Sequence, residues 1–254
     1  MKPKTSPRRA LLLIDVQNEY VTGKLPIEYP SLNVSLPNLA QAIAVAQAHD
    51  IPIVVVQQMA AKDAPIFAQG SHGWKLLPMV ANLTPALLVQ KTRPSALAGT
   101  GLGAWLKDSD IDTLVVAGYM SQNCNESTIR HAAHAGWSVE YLHDAAGAVS
   151  YHNSMGLLPA KAMHEASCIV LQSRFAAVMG TAEWAELVAR GHAAAQPSLL
   201  SSYQAAMLNS QPLMREVLTQ FVPGALQEIM QAQMDKALKA KTKPLVRNKH
   251  RAVA

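Results

Sequence analysis

At 254 residues, half of them hydrophobic and 15% charged, with a formal net charge of +5, the chain can bury one substantial core with material to spare. Its two cysteines, Cys124 and Cys168, do not make a secreted disulfide framework, and no run approaches the ~18 apolar residues of a membrane-spanning helix. Arg8 and Arg9 precede only five apolar residues before Asp15, too few for a signal peptide; a short basic arm leading into a first strand is expected, in a soluble cytoplasmic protein.

In chain order, ALLLI at 10–14 reads as a buried strand that stops at Asp15. A helix is expected over 37–49, with Leu39, Ile43 and Ala46 on one face, followed by a strand at 51–56. The stretch 57–85 is broken by Pro65, Pro78 and Pro85, and the strand at 86–90 ends on Lys91. A helix at 99–107 and a strand at 113–117 lead to Gly118. Further helices are expected at 123–135 and 155–166, with strands at 138–142 and 167–171. Strands alternating with helices imply a parallel sheet covered on both faces. In such a sheet the strands' carboxyl ends share one edge, so Asp15, Lys91 and Cys124 can converge.

An acid, an amine and a thiol at one edge would make a covalent catalyst: the aspartate accepts the thiol proton while the ammonium stabilises the thiolate. Asn123 followed by Glu126 resembles a capping box, which would put Cys124 on the first turn of a helix. Backbone amides and the helix dipole there would favour a thiolate and could hold an oxyanion. The plainer alternative is that Cys124 is a small buried residue. Cys168, within the apolar run at 167–171, reads as an inert core residue.

LLLIDVQNEY, KTRPSALAGTGL and VVAGYMSQNCNESTIRHAAHAGWSVEYLHDAAGA, in that order and spacing, resemble the isochorismatase-like cysteine hydrolase family over about residues 8–185. The resemblance implies a Rossmann-like three-layer sandwich with a six-stranded parallel sheet, and hydrolysis of an amide-type C–N bond through a thioester. It implies a triad of Asp15, Lys91 and Cys124, a non-proline cis peptide between Tyr119 and Met120, and an oxyanion hole made by the Met120 and Cys124 amides. It also implies a homo-oligomer and a small-molecule substrate. Members acting as nicotinamidases carry an Asp-x-His pair and a further His after the second strand to hold a metal. Here only Asp63 and His72 are available, at the wrong spacing, so no metal or other cofactor is expected. His131 and His134 could share a helix face, but no neighbouring cysteine or carboxylate completes a zinc set, and they read as helix surface. Isochorismatases proper cleave a vinyl ether without needing the cysteine, so Cys124 leans the expectation towards amides. Gln17, Gln58, Phe67, Trp74, Tyr119 and Tyr151, on loops or strand ends, are candidates for the substrate pocket, with plain packing as the alternative for each.

Beyond the resemblance, 186–240 is expected to form a helical extension of three or four helices, broken at Gly191, Pro197, Pro212 and Pro223–Gly224. Stripes at Leu213, Val217 and Phe221, and at Leu226, Met230, Met234 and Leu238, need a surface to cover. Residues 241–254 read as a basic, disordered tail. From Lys236 onward the chain carries seven Lys and Arg and no acid, so the rest sums to −2. Such a tail could meet nucleic acid or an acidic membrane surface by charge, but it has no aromatic residue for base stacking; a solvated end is the commoner case. The rival to a hydrolase is therefore a retired hydrolase fold that binds or scaffolds through this extension and tail. The intact Asp15, Lys91 and Cys124 favour the enzyme.

Overall fold

The computed structural model describes residues 6–209 and, beyond them, Gly224, Gln231 and Asp235. The chain divides into two compact units, Met1–Pro197 and Ser198–Ala254. The apolar stripes from Leu213 to Leu238 and the basic residues from Lys236 lie outside the described residues. In the second unit a helix spans Leu199–Asn209.

The first unit is built on a six-stranded sheet. Strands β1 (Arg9–Ile14), β2 (Ile53–Gln58), β3 (Leu87–Lys91), β4 (Thr113–Tyr119) and β5 (Ser138–Gly147) are joined by a sixth, Ala177–Met179, which is β8 in chain order. The order across the sheet is β3-β2-β1-β4-β5-β8, with every pairing parallel. All six residues of β1 are buried, and alternate ones enter two different cores. Leu11 and Leu13 meet Leu39, Ala42, Ile43 and Ala46 of α1 (Leu32–Ala48), together with Trp184 and Val188 of α6 (Thr181–Ala189). Ala10, Leu12 and Ile14 meet Leu102 and Leu106 of α3 (Leu102–Asp108), Ile129 of α4 (Glu126–His134) and Leu171 of α5 (Ala160–Gln172). A strand with an apolar neighbour on each side must be apolar throughout, which is why these runs show no alternation. The remaining elements are a four-residue α2 (Pro78–Ala81) and a hairpin of β6 (Tyr151–Asn153) and β7 (Gly156–Leu158). Among the described residues no helix is long and apolar enough to cross a membrane.

Two expectations need correction. The run SCIVL at 167–171 is not a strand but the end of α5, where His164, Ser167 and Leu171 form the buried face and Ile169 is 71% exposed. Burial there recurs every three or four residues, the helical period, so only one side of the run meets the core. Cys168 is accordingly half-buried on a helix, with its Sγ 3.6 Å from His164 Nε2. The helix expected from 155 starts at Ala160, because residues 151–158 fold back as the hairpin.

Arg9 belongs to the core rather than to a basic arm. Its guanidinium makes a two-pronged pair with Glu140 of β5, at 2.7 and 2.8 Å, and Trp184 Nε1 donates to the same carboxylate at 2.9 Å. The planar fork matches the carboxylate and leaves neither buried charge unpaired.

Candidate active site

The order of strands reverses between β1 and β4, which opens a crevice at their carboxyl ends. Asp15 is the residue after β1; it turns out of the strand with φ +50° while its N–H donates to Val56 O at 2.9 Å. Lys91 is the last residue of β3, two strands away, and reaches across the end of β2. Its Nζ donates to Asp15 Oδ2 at 2.7 Å, to Gln58 Oε1 at 2.6 Å and to Cys124 Sγ at 3.3 Å. Asp15 is fully buried and Lys91 is 2% exposed. Three residues separated by 33 and 76 positions thus meet in one dry cluster.

The approach of Cys124 depends on Gly118. There φ is +107°, and a Cβ would stand 2.1 Å from Ile14 O, so only glycine lets β4 lie this close to β1. The chain then passes a cis peptide between Tyr119 and Met120 and enters a widened turn of π type over Ser121–Asn125. Thr128 Oγ1 donates to Cys124 O at 2.7 Å and Asn125 Nδ2 to Gly118 O at 2.8 Å, which fixes the turn from behind. The expected capping box does not form. The helix begins at Glu126, and that carboxylate is taken by Arg130 at 2.6 Å and 2.9 Å. The widened turn places Asn123 against the cavity instead.

Burial also reverses the expected charge of the thiol. It pushes the Cys124 thiol well above its ordinary range, the Asp15 charge adds to this, and Lys91 only partly opposes it. Burial raises the Asp15 carboxyl as well, again opposed by Lys91. The raised thiol favours its neutral form beside the Asp15 carboxyl. Asp15 Oδ1 has no hydrogen-bond partner among the described residues.

A cavity of about 370 Å³ opens over Cys124. Gln58, Phe67 and Tyr151 line it, as do Met120 and Tyr20. Gln17, Trp74 and Tyr119 are not among the lining residues. Gln17 is a clip, giving Nε2 to Gln58 O and Trp74 O at 3.0 and 2.7 Å and accepting Gln58 N–H at 2.9 Å. The Tyr119 hydroxyl bonds Ser35 at 2.8 Å within the core. Tyr20 was not among the candidates, although it closes the motif LLLIDVQNEY; a 3-10 turn over Asn18–Tyr20 brings it back over Asp15's side of the crevice. Asp63 and His72 are exposed, and His72 Nε2 lies 2.7 Å from Thr22 Oγ1. His131 and His134 are exposed on α4, each with its own neighbour, Ser95 and Phe175. Among the described residues no group of three or more His, Cys, Asp or Glu could hold a metal ion. A larger groove of about 830 Å³, between the start of α1 and α5, contains none of Asp15, Lys91 or Cys124.

Residues 9–183 match the model of the isochorismatase domain. A crystal structure from Burkholderia xenovorans LB400, provisionally assigned as an isochorismatase, is 49% identical and superposes with a TM-score of 0.80 over 82% of this chain and 100% of that one. The secreted isochorismatase effector Isc1 of Verticillium dahliae is 36% identical over 140 residues, 54% of this chain and 71% of the effector. The streptothricin hydrolase of Streptomyces noursei is 32% identical over 137 residues, 54% of this chain and 49% of the hydrolase.

Proposed function

We propose that this chain, which belongs to the isochorismatase domain family, is a cysteine-dependent hydrolase that cleaves an amide-type C–N bond of a small molecule through a thioester. The observation that carries the reading is the placing of one buried ammonium 2.7 Å from a buried carboxylate and 3.3 Å from a thiol, under a cavity of small-molecule size.

Asp15 takes the proton of Cys124 as the sulfur attacks the substrate carbonyl, and Lys91 holds the developing charges together. The carbonyl oxygen becomes an oxyanion received by the amides of Met120 and Cys124. Collapse expels the amine, which recovers the proton from Asp15 and leaves an acyl group on sulfur. Water then gives a proton to Asp15 and attacks the thioester; the second tetrahedral intermediate releases the acid, and the sulfur regains its proton. A vinyl ether would need no acyl–sulfur bond, which is why the nucleophile favours amides.

The test is mass spectrometry of the protein quenched during turnover of small amides. An acyl adduct on Cys124, with turnover lost in Cys124→Ala, is expected. Full turnover by Cys124→Ala would overturn the scheme.

A further inference from the structure

The twelve residues that line the cavity include no Asp, Glu, Lys, Arg or His. The two charges beside Cys124, on Asp15 and Lys91, are spent on each other and on Gln58, and burial raises the thiol. A carboxylate or ammonium on a bound molecule would lose its hydration here with no counter-charge among the lining side chains to replace it. Leu25, Ile66, Phe67 and Pro94 present an apolar wall instead.

Of the hydroxyl and amide side chains on the lining, Tyr20, Gln58, Thr92, Asn123 and Tyr151, only Tyr20 is buried. Tyr20 is 1% exposed and held between two rings, with centroids 5.3 Å from Phe67 and 5.6 Å from Tyr119. Its hydroxyl has no hydrogen-bond partner among the described residues. Nor is it one of the sealed, unpaired polar atoms, which among the described residues are Asp15 Oδ1, Trp74 Nε1, Gln122 Oε1, Asn125 Oδ1 and Tyr141 Oη. The residue lines the cavity, and its oxygen is not among the sealed atoms. Burial, with Cys124 and Asp15 nearby, holds the phenol well above its ordinary pKa, so it keeps its proton to donate. An aromatic ring locked by neighbours offers a fixed donor at little entropic cost.

We propose that the cavity takes an uncharged, apolar-bodied carboxamide and that the Tyr20 hydroxyl is the hydrogen-bonding group that orients it. The carboxamide part rests on the hydrolase reading above; the demand for zero charge and the Tyr20 contact rest on the cavity alone.

The test is calorimetric binding to the full-length Cys124→Ala protein, paired with ammonia release by the wild type. The probes are benzamide and hexanamide, each compared with a carboxylate-bearing and an ammonium-bearing analogue of the same length. Neutral amides should bind at least about tenfold more tightly than either charged form, and Tyr20→Phe should weaken neutral amides about tenfold. A loss of packing would instead lower the melting temperature and change iodoacetamide access to Cys124, which should both stay as they are in Tyr20→Phe. Equal or tighter binding of a charged analogue, no binding of any neutral amide, or an unaltered affinity in Tyr20→Phe would overturn the proposal. If the binding order holds while the wild type releases no ammonia from any probe, the hydrolase reading fails and the cavity assignment stands. If a charged amide is turned over best, the cavity assignment fails and the hydrolase reading stands.

Discussion

Lys91 has three acceptors within reach, Asp15, Gln58 and Cys124, and almost no surface of its own. Removing its charge leaves Asp15 as a lone buried carboxylate, so Lys91→Met should destabilise the fold by about 3–5 kcal/mol in urea unfolding, or force Asp15 to keep its proton at neutral pH. The proposed base is then either protonated or left without the ammonium that steadies the ion pair, and kcat/KM should fall about 10²–10⁴-fold. With the Asp15 carboxyl raised, the acid limb of the pH–kcat/KM profile should lie above the ordinary 3.8, and Asp15→Asn should lose turnover across the whole pH range. The sign for stability follows from the same direction. The native state holds this proton to higher pH than the unfolded chain, so its contribution is present below 3.8 and is lost as pH rises through the native value. For the thiol, burial and Asp15 act together, so iodoacetamide should label Cys124 slowly at pH 6 and faster as pH rises. Asp15→Asn should speed that labelling, by about tenfold for each unit the thiol falls, because the opposing negative charge is gone while the Lys91 charge remains.

At the scale of elements, β4 is the strand the site depends on most. Gly118→Ala would drive a methyl into the backbone of β1 at Ile14, which cannot retreat without breaking its own ladder. The variant should lose several kcal/mol in thermal or urea unfolding, or fail to fold. The position shows why some of the architecture was legible in the residues and some was not. β1, β2 and β4 are buried on both faces and so appear as largely apolar runs; β1 stops just ahead of Asp15 and β2 ends on Gln58. The same run of letters at SCIVL ends a helix, because one side of it faces solvent; composition alone does not distinguish the two. Three-residue β8 is too short to announce itself. Of the pocket, Gln58, Phe67 and Tyr151 were legible as side chains after strands. Gln17 and Tyr119 turn inward for partners far along the chain, Trp74 and Ser35, which no local pattern reveals. Tyr20 went unread because a three-residue turn, rather than a strand end, aims it.

For the molecule as a whole, the residues from Ser198 onward carry eight Lys and Arg against three Asp and Glu, so they account for the entire net charge of +5. Deleting residues 236–254 should abolish salt-sensitive retention on heparin while leaving amide turnover unchanged. The first unit keeps its own closing contact in Arg9, Glu140 and Trp184, which joins its first strand to its last helix. Arg9→Met would strand Glu140 and should cost about 3–5 kcal/mol in urea unfolding, with little change in kcat for the fraction that remains folded.

The mutual cancellation of Asp15 and Lys91 inside the protein reaches beyond catalysis. A sealed pair of opposite charges casts almost no field into solution, so this pair neither draws in nor repels a ligand at long range. Encounter with a neutral molecule is then set by diffusion and shape, indifferent to the Debye length. Added salt should silence the basic end of the chain and leave the rate at the crevice untouched, which makes ionic strength a clean way to read the two ends of this molecule separately.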